Sequence, residues 1–225
     1  MTNPPADRLR SLSTPRAAAV AGVLFALLFG TSLVLIRLAL PEGEQPGAQW
    51  LQTGSTNLKT AATIMPFAGI AFLWFMGVVR DGLGRYEEKF FSTVFIGSGL
   101  LFLAMMFVAA GVGAGLERSH AAADPPVATF GQMVLLTVSK TYALRMAAVF
   151  MISLATIWLK TGLMPRWLVV VSYLAAVGLL VAGDVTMWLV LAFPVWVLVV
   201  SLLLLARAGV IDLDRDGDET RPAKA

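Results

Sequence analysis

Residues 90–115 run without a single charged side chain, and the same is true of residues 17–36, 60–79, 167–183 and 185–206. A helix needs about 20 consecutive apolar residues to cross the hydrocarbon core of a bilayer. Backbone polar groups in lipid have no water to bond, so runs of this length must pair their amides internally, as helices. A membrane barrel would alternate apolar and polar residues, and these runs do not. Charged residues make up 14% of the 225-residue chain, against about 25% in soluble domains. The fold class expected is therefore all-α: a polytopic membrane bundle of six transmembrane helices.

The six expected spans are residues 17–36, 60–79, 90–115, 141–159, 167–183 and 185–206. Residues 1–16 form a polar tail ahead of this domain and 207–225 a charged one behind it, expected to be disordered. The positive start followed by an apolar run has the outline of a signal peptide. The run is too long for a cleaved core and no A-x-A site follows, so it reads as a retained first helix. Gly183 and Asp184 are expected to form a tight turn between the last two spans. Pro66 and Pro194 fall inside spans and should kink them.

Orientation follows from Lys and Arg. Arg8, Arg10, Arg16, Arg80, Arg85, Lys89, Lys160, Arg166, Arg207, Arg215, Arg221 and Lys224 fall on one side, twelve of the seventeen basic residues. Arg37, Lys59, Arg118 and Lys140 fall on the other, and Arg145 lies within the fourth span. This bias places both termini in the cytoplasm, with the spans in the cell's inner (plasma) membrane. Trp74, Trp158 and Trp167 are then expected at the inner interface and Trp188 at the outer one, as aromatic belts. The outer loops 41–57 and 117–132 are rich in Pro, Gly and small polar residues. Residues 127–139 are apolar enough for a short surface helix leading into the fourth span.

Few residues carry chemistry. With no cysteine, disulfides, thiolate metal sites and cysteine nucleophiles are excluded. The single histidine, His120, excludes bis-histidine haem ligation and a two-histidine zinc protease. Gly97-Ser98-Gly99 has the form of an intramembrane serine nucleophile but lacks a histidine base within the spans. Residues 181–184, Val-Ala-Gly-Asp, lack the second carboxylate an aspartyl protease needs. A loop site around Asp81, Arg85, Glu87 and Glu88 is the one remaining enzymatic route. Asp212, Asp214, Asp216 and Gly217 match the first half of a calcium loop, but its twelfth position, normally a bidentate Glu, is Ala223. Metal, cofactor and nucleic-acid binding are not expected.

Intramembrane charge is the strongest functional signal. Arg145, Asp184 and Arg37 are placed near the outer face. Arg145 with Asp184, or with Arg37 as a rival neighbour, would make an anion or proton site; alternatively Arg145 snorkels to the headgroups. Ala18 with Gly22, and Gly111 with Gly115, have the four-residue spacing that lets helices approach closely.

Two resemblances add to this. In GVVRDGLGR, Gly77, Asp81, Gly84 and Arg85 resemble the loop between helices 2 and 3 of major facilitator transporters. Gly82 stands where that family prefers a basic residue, and Tyr86-Glu87-Glu88 where it continues basic. Read from the residues alone, the stretch is a basic cytoplasmic turn. The run FAGIAFLWFMGVVRDGLGRYEEKFFSTVFIGSGLLF, residues 67–102, resembles six-helix membrane proteins of actinobacteria, which implies a high-GC bacterial source and no mechanism. Two functions remain open. One is a non-enzymatic protein acting through partners in the bilayer, another membrane protein or a second copy of itself. The other is a small homo-oligomeric transporter or channel.

Overall fold

The computed structural model describes residues 6–39, 49–83, 89–119, 121–182 and 187–218. All regular structure among them is helical: α1 (Ala6–Ala39), α2 (Gln49–Leu83), α3 (Lys89–Arg118), α4 (Pro125–Leu136), α5 (Leu144–Thr161), α6 (Arg166–Ala182) and α7 (Ala192–Asp218). A π-helical segment, Thr137–Ala143, joins α4 to α5 without a break. Five helical stretches are long and apolar enough to cross a membrane, and α6 is a shorter apolar helix.

Close contacts fix the direction of each helix. The start of α2 meets the end of α1, where a Cβ added to Gly54 would lie 2.7 Å from the Cβ of Ala39. The end of α3 meets the start of α2 through Lys59 and Glu117, 3.6 Å apart. Thr156 on α5 bonds Tyr173 on α6 at 2.8 Å, and Arg37 near the end of α1 lies over Trp188, just before α7. Consecutive spans are thus antiparallel, α4 and α5 forming one span. The end of the bundle that holds Ala39, Glu117 and Trp188 is called the upper end below. Around the bundle the order is α1, α2, α3, α5, α6, α7, closing on α1, with the loosest seam between α6 and α7.

The centre is filled by aromatic rings. Phe25, Phe29, Phe72, Phe75, Phe95, Phe102, Phe150 and Phe193 are all fully buried. Phe72 sits among five of them, with centroids 4.6 Å from Phe25, 5.3 Å from Phe150, 5.6 Å from Phe102, 5.8 Å from Phe193 and 6.3 Å from Phe75. Lipid tails are as apolar as these side chains, so close packing rather than water exclusion holds such a bundle together. The outward surface is apolar too: Trp74, Phe90, Leu174 and Val181 are exposed.

Close packing of α1 depends on a glycine. A Cβ at Gly22 would overlap Ser201 Oγ on α7 and press on the ring of Phe75. Gly111 and Gly115, with the same kind of spacing, have nothing within 4 Å of a built Cβ. They lie on the outward face of α3, and no close approach at that pair is made among the described residues.

The fourth span begins earlier than expected. Asp124 accepts a hydrogen bond from Val127 N, and Pro125 and Pro126 occupy the first helical positions. This is a regular N-terminal cap, since the prolines lack amides that would need partners there. The helical stretch from Pro125 to Thr161 has 37 residues, about 55 Å at 1.5 Å per residue. Residues 127–139 are therefore not a separate surface helix. They continue the fourth span and pack against α3 along Ala128, Gly131 and Leu135. With α2 (35 residues) and α3 (30 residues), this stretch outruns a hydrocarbon core of about 30 Å. At the upper end Ala39, Leu58, Ala109, Leu116, Ala121, Ala128 and Leu135 form a second, smaller cluster.

Other expectations are corrected at the lower end. The backbone of 77–83 belongs to the last turns of α2, so this part of GVVRDGLGR is helix and not turn; residues 84–88 lie outside the described residues. Trp158 is buried and lies 6.0 Å from Trp196 instead of sitting at an interface. The reason is that α5 is enclosed by α3 and α6, which leaves its tryptophan an aromatic neighbour in place of headgroups. The backbone is helical through residues 212–217 to Asp218, whereas a calcium loop must turn sharply at its sixth position.

Candidate functional site

The described polar side chains in the bundle core are serines, and most are spoken for. Ser32, Ser98, Ser153 and Ser172 donate to the carbonyls of Leu28, Val94, Val149 and Leu168 on their own helices. Ser172 also accepts from Trp196 Nε1 at 2.8 Å, which ties α6 to α7. Ser201 Oγ is buried without a hydrogen-bond partner. Ser98, the nucleophile-like serine of the sequence, is committed to its own backbone. Among the described residues no group of three or more His, Asp or Glu could hold a metal ion.

The charged chemistry gathers at the upper end. A crevice of about 30 Å³ is lined by Arg37, Ser139, Lys140 and Trp188 over an apolar floor that includes Leu33 and Met106. Arg37 is half-buried, and its guanidinium lies 5.3 Å from the Trp188 ring centroid. That is a cation–π distance, favourable where water is scarce. Lys140 is half-buried too. Ser139 donates to the carbonyl of Leu135 at 2.7 Å, so its hydroxyl proton is committed to its own helix.

The π segment explains why Lys140 faces inward. The bundle-facing residues of this stretch repeat every four positions: Leu135, Ser139, Ala143 and Ala147, with Leu136, Lys140, Leu144 and Ala148 beside them. In an α-helix a four-residue repeat drifts by about 40° per step. The wider π turn takes up that drift, so Lys140 stays on the side of the crevice. Single π turns inside helices are frequent at functional sites.

Arg145 lies one turn further along. Its Nη1 donates to the carbonyl of Thr141 at 2.8 Å, inside the π segment. The side chain points back along its helix, toward the upper end, as helical side chains do. Asp184, the partner expected for Arg145, lies outside the described residues, as do Gly84 and Arg85. Gly77 and Asp81 are exposed near the end of α2, and nothing lies within 4 Å of a built Gly77 Cβ. The structure brings Arg37 to the crevice as a neighbour of Lys140. Sequence reading had placed Lys140 only as an outer-side charge; the four-residue repeat through 135–148 is the signal that would have found it.

A second feature faces outward. A groove of about 800 Å³ runs between α1 and α2, lined by Val20, Leu24, Leu28, Phe67, Ile70 and Trp74 among others, with Thr63 as its polar member. The chain matches no family model, no curated protein and no solved structure.

Proposed function

We propose that this chain is a multi-pass protein of a bacterial plasma membrane that acts through protein partners, as an accessory or structural subunit, without catalysis of its own. Six passes put both termini on one side, and the Lys and Arg bias makes that side the cytoplasm. The observation that carries the reading is the aromatic centre. Rings from α1, α2, α3, α5 and α7 meet in one cluster, and the buried serines largely bond their own helices. A pathway for ions or polar solutes needs charged or polar groups along it, and among the described residues the buried polar side chains of this core are serines with no charged group beside them.

The transporter reading would have to route its substrate between copies of the chain. Native mass spectrometry of gently extracted protein from its own membrane separates the two. A second polypeptide retained in fixed ratio supports the accessory reading. A homo-oligomer that holds lipid or a small molecule and no second chain contradicts it.

A further inference from the structure

We propose that the groove between α1 and α2 holds the hydrocarbon tail of a membrane lipid, and that this lipid stays with the folded chain when the surrounding lipids are removed. Such a lipid is independent of the protein partners proposed above.

The groove is long and narrow. Its lining residues run from Ala17 to Leu28 on α1 and from Thr63 to Trp74 on α2. The two helices are antiparallel, so one end lies at Ala17 and Trp74 and the other at Leu28 and Thr63. That stretch of each helix is about 17 Å long at helical rise. A volume of about 800 Å³ over that length leaves a mean section of about 50 Å². A helix with its side chains is about 10–12 Å across, or roughly 80–110 Å² in section. A helix from a partner or a second copy can therefore lie over the groove but cannot enter it, whereas a slender hydrocarbon chain can. Sites that enclose small molecules hold about 300–1,000 Å³, and this groove falls within that range.

Its walls and floor come from different residue types. Ala21 and Ala71 are buried and make the floor, whereas Val20, Leu24, Phe67 and Ile70 are exposed and stand as walls. The trough exists because two alanines sit between larger neighbours. A tail lying in it touches protein on three sides, and those added dispersion contacts distinguish it from a lipid on an open helix face. α1 and α2 form the most extensively packed helix pair of the bundle, so walls and floor are in place before a ligand arrives, which lowers the cost of binding. Polarity narrows the ligand further. No lining residue is charged. Thr63 gives its hydroxyl hydrogen to the carbonyl of Lys59 at 2.9 Å, so the one remaining side-chain donor in the lining is the indole N–H of Trp74, at one end. An uncharged trough with a single donor at its end suits an apolar tail whose polar head lies beside Trp74. It offers nothing to a ligand that is polar along its length.

The test is native mass spectrometry of detergent-extracted, delipidated protein titrated with dioleoyl phosphatidylglycerol. The wild type should take up one lipid about tenfold more tightly than the next, equivalent to about 1.4 kcal/mol. Ala21→Leu fills the floor, and Ala17→Phe fills one end from an exposed position. Each should bring the first lipid down to the affinity of the second. Leu174→Trp, on the exposed face of α6, should leave the first lipid in place. Thermal melting identifies the variants that fold, and Ala17→Phe decides the matter if Ala21→Leu does not fold. Successive lipids bound with equal affinity by the wild type, or a tight first lipid unchanged in the folded groove variants, overturns the proposal. So does a second polypeptide, another copy or another protein, that occupies the wild type in place of the lipid and is released by Ala17→Phe, since the groove would then belong to a helix.

Discussion

The ring of Phe72 on α2 lies 4.6 Å from that of Phe25 on α1, tilted by 37°, and this contact stands at the middle of a cluster that joins five helices. Phe72 has no exposed surface, so its removal leaves a hole that several rigid rings must close. Phe72→Ala should cost about 3–5 kcal/mol, read as a lower midpoint in a denaturant titration of detergent-solubilised protein. Phe72→Leu should cost markedly less. Equal loss from both would show that the ring contacts are not what matters at this site.

Gly22 and Ser201 form a second testable pair. Gly22→Ala should destabilise by about 1–3 kcal/mol, the usual range for overpacking, because the new methyl overlaps Ser201 Oγ and crowds Phe75. Ser201→Ala alone should be neutral or stabilising, since its buried hydroxyl makes no hydrogen bond. The double variant should recover part of the Gly22→Ala loss. Strict additivity of the two changes in a double-mutant cycle would refute the contact.

The α6–α7 seam rests on little packing, so the bond from Trp196 to Ser172 should be felt there. Trp196→Phe keeps an aromatic ring and deletes the donor. A loss of about 0.5–1.5 kcal/mol is expected, with faster hydrogen exchange concentrated in α6. Exchange that rises uniformly in all helices would argue against a local seam.

By contrast, the ion pair between Lys59 and Glu117 should matter little. The lysine side chain is 71% exposed, and exposed pairs contribute about 0–1 kcal/mol. Lys59→Ala is expected to leave the thermal midpoint within error and to make it no less sensitive to salt. A large drop would mean that the upper cluster depends on that pair rather than on its apolar contacts.

The six apolar runs were legible because lipid leaves a long apolar stretch few alternatives to a helix, and five of the six carry no charge at all. Their upper ends were not. Beyond the hydrocarbon, the ordinary rules of soluble helices return, and the cap formed by Asp124, Pro125 and Pro126 extends the fourth span by more than the hydropathy pattern shows. Spacing also failed to say which face of a helix is covered: Gly22 meets a neighbour, whereas Gly111 and Gly115 do not. Trp158 was misplaced for a related reason, since an aromatic residue near a helix end suits an interface or an aromatic neighbour equally well. The inward position of Lys140 depends on a π turn, and a 3.6-residue template cannot register one.

The most direct test of the account is water access to the bundle centre. The chain has no native cysteine, so Phe102→Cys, Phe150→Cys and Phe193→Cys each introduce a single thiol. Folded variants in membrane vesicles would be treated with a membrane-impermeant maleimide from each side, with Gly162→Cys, at an exposed turn after α5, as the reactive control. The account predicts no labelling at the three central positions under conditions that label Gly162→Cys fully. Labelling of a central thiol at the control's rate would reveal an aqueous path through the bundle and contradict it.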